Sequence, residues 1–260
     1  MRVLKFGGSS LANAKRFMQV VDIVSQASSE SSLAVVVSAP QGVTNHLVAM
    51  AENITDEAKL KNDLEKFSAA IEVIINDLSS AYANFNAEPV REELAQWREQ
   101  LSRYLHGATM LTYCPDHIRA IIISVGERLS VAILKALFAA KQQSVSIIEP
   151  EQFLQTNDSS LNAVAELEAC KSRFKGEYAQ LESIALMPGF IGVNEAGQVT
   201  TLGRNGSDYS AAVLAVCAQA ERCEIWTDVD GVYNADPRMI KDAKLLDYLS
   251  YQEAMELSYF

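Results

Sequence analysis

Lys5-Phe6-Gly7-Gly8-Ser9-Ser10 places a compact cation just ahead of two glycines and two hydroxyls. Glycine lets the backbone come close to a ligand, and the N–H groups that follow can cradle an anion such as phosphate. Taken alone, the run is no more than a strand-to-helix turn. Support comes from Gly203-Arg204-Asn205-Gly206-Ser207-Asp208, where two glycines frame an arginine before a helix N-terminus, a second anion site. The guanidinium fork suits a carboxylate or a phosphate. Asp208 by itself is also accounted for as a first-turn acid favoured by the helix dipole. A third cluster, Trp226-Thr227-Asp228-Val229-Asp230-Gly231-Val232-Tyr233 with Asp236-Pro237-Arg238, offers polar caps for a ribose or base, an aromatic face and a cation for phosphates. Its plain alternative is an Asp/Gly/Pro-rich loop. Two further polar loops are Ser38-Ala39-Pro40-Gln41-Gly42-Val43-Thr44-Asn45 and Ser124-Val125-Gly126-Glu127-Arg128.

The elements around these runs set where they lie. Residues 2–6 and 33–37 read as short buried strands, each running into a Gly-bearing loop and then a helical pattern, the first with Phe17, Val20, Val21 and Val24 on one face. Thr44 is placed to cap a helix starting near Asn45. This is the rhythm of a parallel sheet. Leu60, Leu64, Phe67, Ile71, Ile74 and Leu78, then Leu94, Trp97, Leu101 and Tyr104, recur every three or four positions, so residues 55–106 read as a helical insertion. Alternation resumes with strands at 120–125, 144–148, 184–193, 199–202 and 224–227 and helices at 128–139, 161–174 and 207–220. Asn194-Glu195-Ala196-Gly197 marks a hairpin. The five loops therefore gather at the C-terminal ends of strands, where open α/β sheets take their ligands. The helical stretch 251–260 carries no stop signal, which reads as a domain cut short.

Composition narrows the field. The chain has 260 residues and a net charge of −11, which argues against a nucleic-acid or anionic-membrane partner. No apolar run reaches the ~20 residues of a membrane span, and Lys5 with the glycine pair interrupts any signal-peptide core, so a cytoplasmic location is expected. The four cysteines form no C-x-x-C pair, and the three histidines fit no hydrolase or metal pattern. P-loop, dinucleotide-binding and protein-kinase signatures are absent.

These motifs together resemble the aspartokinases of the amino-acid-kinase superfamily. The opening resembles K-F-G-G-T-S, with Ser9 in place of threonine. Residues 38–45 resemble a substrate loop ending in G-[IV]-T-[ND], 124–127 an S-x-G-E turn, and 203–208 a G-R-x-G-S-D set. Residues 227–238 are similar to T-D-V-x-G-[VI]-Y…D-P-R. The texture throughout is closest to the kinase part of bifunctional aspartokinase–homoserine dehydrogenases.

The resemblance implies one catalytic domain over residues 1–260, an α/β/α sandwich around a mainly parallel, eight-stranded sheet. It implies further that the chain stops short of a final nucleotide-binding segment, regulatory ACT domains and any dehydrogenase. The implied reaction is ATP-dependent phosphorylation of the aspartate side chain, with Mg²⁺, in a protein that forms homo-oligomers at full length. Lys5 and Asp208 would be catalytic. Ser38, Thr44, Glu127, Arg204 and Ser207 would hold aspartate, and Lys5, Gly7, Gly8, Ser9, Thr227, Asp228, Tyr233 and Arg238 would hold ATP. Two alternatives stay open: a superfamily member with another acceptor, and a ligand-binding piece without turnover.

Overall fold

The computed structural model describes residues 1–178 and 181–258. Residues Met1–Trp226 form one compact unit, and the chain from Thr227 onward forms a second.

In the first unit, β1 (Arg2–Phe6), β2 (Leu33–Val37), β3 (Ser146–Ile147), β4 (Ile184–Pro188) and β7 (Cys223–Trp226) form a parallel sheet in the order β3-β4-β2-β1-β7. Alternate residues serve two cores. Leu4, Phe6, Val35, Val37 and Leu186 join one apolar cluster, while Val3, Ala34, Val36, Ala185 and Met187 join the other. This period of two, buried on both faces, is what makes the central strands near-continuous apolar runs. The first core also receives α1 (Ala14–Ser28), α2 (Val43–Glu52), α3 (Glu57–Ala81), α4 (Glu88–Leu111), α5 (Asp116–Ile123) and α6 (Val125–Ala140). The second receives α7 (Pro150–Phe153), α8 (Leu167–Glu177) and α9 (Gly206–Cys217). Helices on both faces of a parallel sheet make the three-layer α/β/α architecture expected from the sequence.

Three readings are corrected by the structure. Residues 120–125 are not a strand but the end of α5, joined at Ser124 to α6. A short apolar run such as Ile121-Ile122-Ile123 carries no period that separates a buried strand from a buried helix, and Asp116 in the first turn favours the helix. The stretch 184–193 is two strands, because Phe190 takes φ 72° and turns the chain out of the sheet. Its second half, β5 (Ile191–Val193), forms instead an antiparallel hairpin with β6 (Val199–Thr201). Among the described residues the main sheet therefore has five strands and the hairpin two, rather than one sheet of eight. Finally, Gly42 and not Thr44 occupies the N-cap of α2, at φ 83°. A turn of that hand favours glycine, and the helix starts at Val43, two residues earlier than a Thr44 cap allows.

The second unit holds an antiparallel bridge between Tyr233 and Leu245 and one helix, α10 (Tyr251–Ser258). Residues 259–260 of the expected terminal helix lie outside those described. No helix among the described residues is long and apolar enough to cross a membrane.

Candidate functional site

Lys5 lies on β1 two residues after Val3, hence on the pleat that faces α9. There its Nζ sits 2.6 Å from Asp208 Oδ1, in the first turn of that helix. The contact is an ion pair set off the hydrogen-bonding direction. Lys5 is 8% exposed, whereas the Asp208 side chain is 41% exposed, so the cation is the buried partner. After Phe6 the chain passes Gly7 and enters a single 3-10 turn, Gly8–Leu11, which contains Ser9. A Cβ on Gly8 would stand 3.0 Å from the Ala39 carbonyl oxygen, so glycine there lets the loops after β1 and β2 touch. Lys5, Gly8, residues 38–42, Thr44, Asn45, Glu127, Phe190, Gly203 and residues 205–208 line one cleft of about 310 Å³.

Glu127 enters this cleft from the first turn of α6 and is 4% exposed. Burial pushes its carboxyl up to about 8, against the pull of the Ala39 N–H, its own N–H and the neighbouring Arg128. Its Oε2 is buried with no hydrogen-bond partner. A buried acid with a free acceptor, opening on a cleft that holds a buried lysine, has the chemistry of a binding site. Gly126 makes the approach possible: a Cβ there would lie 2.5 Å from Ala39 Cβ, closer than side chains pack. Gly126→Ala should therefore cost about 1–3 kcal/mol of stability through forced movement of α6, read as a lowered denaturant midpoint at unchanged slope.

The far wall is the turn into α9. Asn205 (φ 57°) caps that helix, and Gly203 (φ 73°) closes against Asn162. Ser207 is buried under Gly189, where a Cβ would come within 2.8 Å of Ser207 Cβ. Phe190 follows. Its N–H donates to Ser210 Oγ at 2.7 Å, and Ser210 Oγ donates in turn to the Gly206 carbonyl at 2.8 Å, tying two walls together. Phe190 was not singled out from sequence, although Pro188-Gly189 ahead of it is a break signal inside an apolar run.

Sequence-selected Lys5, Gly8, Ser38, Thr44, Glu127, Ser207 and Asp208 thus meet in one place. Arg204 does not join them. It sits exposed between two cleft-lining residues and makes no ion pair among those described. The residues given above as lining the cleft belong to the first unit. Thr227, Asp228, Tyr233 and Arg238 belong to the second, where Thr227 Oγ1 donates to Asp228 Oδ1 at 3.2 Å and Tyr233 OH to Asp230 Oδ2 at 3.4 Å. Arg238 forks onto Asp236 at 3.2 and 3.1 Å, an exposed pair that a phosphate could compete with.

Residues 1–260 match the amino acid kinase family in full. The chain belongs to that family. Among amino acid kinases it is 44% identical over 264 residues to the bifunctional aspartokinase/homoserine dehydrogenase of Haemophilus influenzae, covering all of this chain and 32% of that protein. The bifunctional enzyme of Buchnera aphidicola is 41% identical over 261 residues, again covering all of the chain and 32% of the relative. Aspartokinase III of Escherichia coli, solved with aspartate and ADP, superposes with TM-score 0.89 at 29% identity, over 100% of this chain and 56% of that one. The chain thus spans about a third of the bifunctional relatives it matches.

Proposed function

We propose that this chain transfers the γ-phosphoryl group of ATP to the side-chain carboxylate of L-aspartate. The observation that carries the reading is the meeting, in one cleft, of a buried cation, Lys5, with a buried acid, Glu127, one of whose oxygens has no hydrogen-bond partner. Such a cleft suits a reactant carrying both carboxylates and an ammonium. The aspartokinase relatives, and the aspartate and ADP held by the Escherichia coli enzyme, support it.

Aspartate's side chain is ionised at neutral pH, its carboxyl titrating near ~3.9, so attack on phosphorus needs no general base. The work is to gather anions and to neutralise charge spreading over the transferring group. Lys5 is assigned that task, together with the N–H groups of Gly7, Gly8 and Ser9. Asp208 orients Lys5. Glu127 receives the ammonium of aspartate, and Ser38, Thr44 and Ser207 add hydroxyl and backbone hydrogen bonds. Thr227, Asp228, Tyr233 and Arg238 are assigned to ATP. Among the described residues no group of three His, Cys, Asp or Glu side chains could hold a metal ion, so Mg²⁺ fits here as an ion carried on phosphate oxygens and water. It would supply further neutralisation of phosphate charge.

Arg204 is assigned to a carboxylate of aspartate, which it meets only by folding inward from its exposed position. Arg204→Ala should then raise the aspartate KM by about 10–100-fold, the loss of a charged hydrogen bond, with kcat changed little. Unchanged aspartate saturation removes Arg204 from the site. The reading as a whole is tested by aspartate-dependent ADP formation and by hydroxamate trapping across a panel of acceptors. Product with glutamate, acetylglutamate or carbamate but not aspartate would replace it.

A further inference from the structure

Arg128 follows Glu127 on α6 yet does not enter the cleft. One residue on, a helix has turned by about 100°, so its side chain leaves on the neighbouring face. There it lies in a separate recess of about 180 Å³ bounded by Trp97, Lys135, Glu149 and Pro188. Its guanidinium carbon stands 5.5 Å from the centroid of the Trp97 ring, and Nη2 donates to Glu151 Oε1. The side chain is only 16% exposed, and Nε is buried with no partner. Trp97 belongs to α4 and Glu151 to α7, so the first turn of α6 is anchored from behind, while Gly126 fixes its front against Ala39.

We propose that Arg128 is the positioning residue for Glu127: it pins the first turn of α6 between Trp97 and Glu151 and keeps a positive charge behind the carboxylate that meets the substrate's ammonium. Only the last clause rests on the aspartate reading. Among the described residues, the charged groups around Glu127 are Arg128 beside it and Lys5 and Asp208 within the cleft. Around Arg128 stand Glu93, Lys135, Glu149 and Glu151. Burial raises the carboxyls of Glu93 and Glu149 from their ordinary value.

The test follows the Glu127 carboxyl in the full chain without substrate, by carbon NMR of labelled glutamates assigned against Glu127→Gln. Arg128→Gln should raise the Glu127 midpoint by about one pH unit, the size of a neighbouring-charge effect. Arg128→Lys keeps the charge but loses the planar fork. It should hold the midpoint near that of the parent while still melting at lower temperature. Arg128→Met is a second neutral variant should Arg128→Gln not fold. In parallel, the acid limb of kcat/KM for aspartate should move with the midpoint. A midpoint unmoved in the neutral variants, or moved equally by Arg128→Lys, overturns the inference. A midpoint that moves as expected while the aspartate profile stays put keeps Arg128 acting on Glu127 and removes the aspartate reading instead.

Discussion

Lys5→Ala should lower kcat for aspartate phosphorylation by about 10²–10³, or roughly 3–4 kcal/mol, the cost of deleting one preorganised charged contact to a transition state. The aspartate KM should change far less, because the lysine is asked to meet charge that develops during transfer rather than charge already present on the bound amino acid. Folding should survive. Asp208, the partner left behind, is 41% exposed at its side chain and can be hydrated, so no anion is stranded in the core. Lys5→Arg should not restore the rate. The position is buried on a strand beside Gly7, where a Cβ would lie 3.5 Å from the lysine Nζ, and a planar guanidinium does not fit the space of a compact ammonium. Steady-state kinetics with saturating ATP reads both kcat and the aspartate KM. A Lys5→Ala protein that turns over at near-parental kcat would take the lysine out of the chemistry.

How much of this was legible in the sequence depends on what each residue answers to. The lysine's direction follows from strand alternation alone: Val3 is apolar and faces the second core, so Lys5 faces the same side, where α9 brings Asp208. The helical stretches α3 and α4 were legible because their apolar spacing is long and regular, and the hairpin because Asn194 and Gly197 mark its turn. The α5–α6 junction was not. Three isoleucines in a row satisfy a strand and a helix equally, and the choice is made by packing at long range. The count of strands failed at Phe190 for a related reason. A bulky residue at φ 72° is held there by Ser210 Oγ and by the Leu202 N–H on its carbonyl, neither of which is near it in the chain. Residue types at the cleft could be read locally, but burial could not. Glu127 was recognisable as an acid after a glycine, whereas its depth, and with it the proton it retains, depends on Ala39 packing against Gly126.

That depth gives the second large effect, in Glu127→Gln, with two consequences of opposite sign. In the free protein the carboxyl titrates near 8, against an ordinary value of 4.5. Between those values the folded state keeps a proton that the unfolded state has lost, so stability is fully present below 4.5 and falls as pH rises towards 8. The loss over that window is on the order of 4 kcal/mol at 1.36 kcal/mol per pH unit. Glutamine matches the protonated acid in shape and does not titrate. Glu127→Gln should therefore melt like the parent at pH 5 and several degrees above it at pH 8. Binding goes the other way. An amide cannot neutralise an ammonium in a dry cleft, and removing one partner of such a pair costs about 2–5 kcal/mol, so the aspartate KM should rise by about 10²-fold or more. The parent's own aspartate affinity should increase with pH up to about 8, as the carboxylate forms without help from the ligand, and this slope should vanish in the variant. Equal melting differences at the two pH values would mean that Glu127 is already ionised when free. Unchanged aspartate saturation would mean that the ammonium docks elsewhere, and the charge pairing behind the proposed function would fail with it.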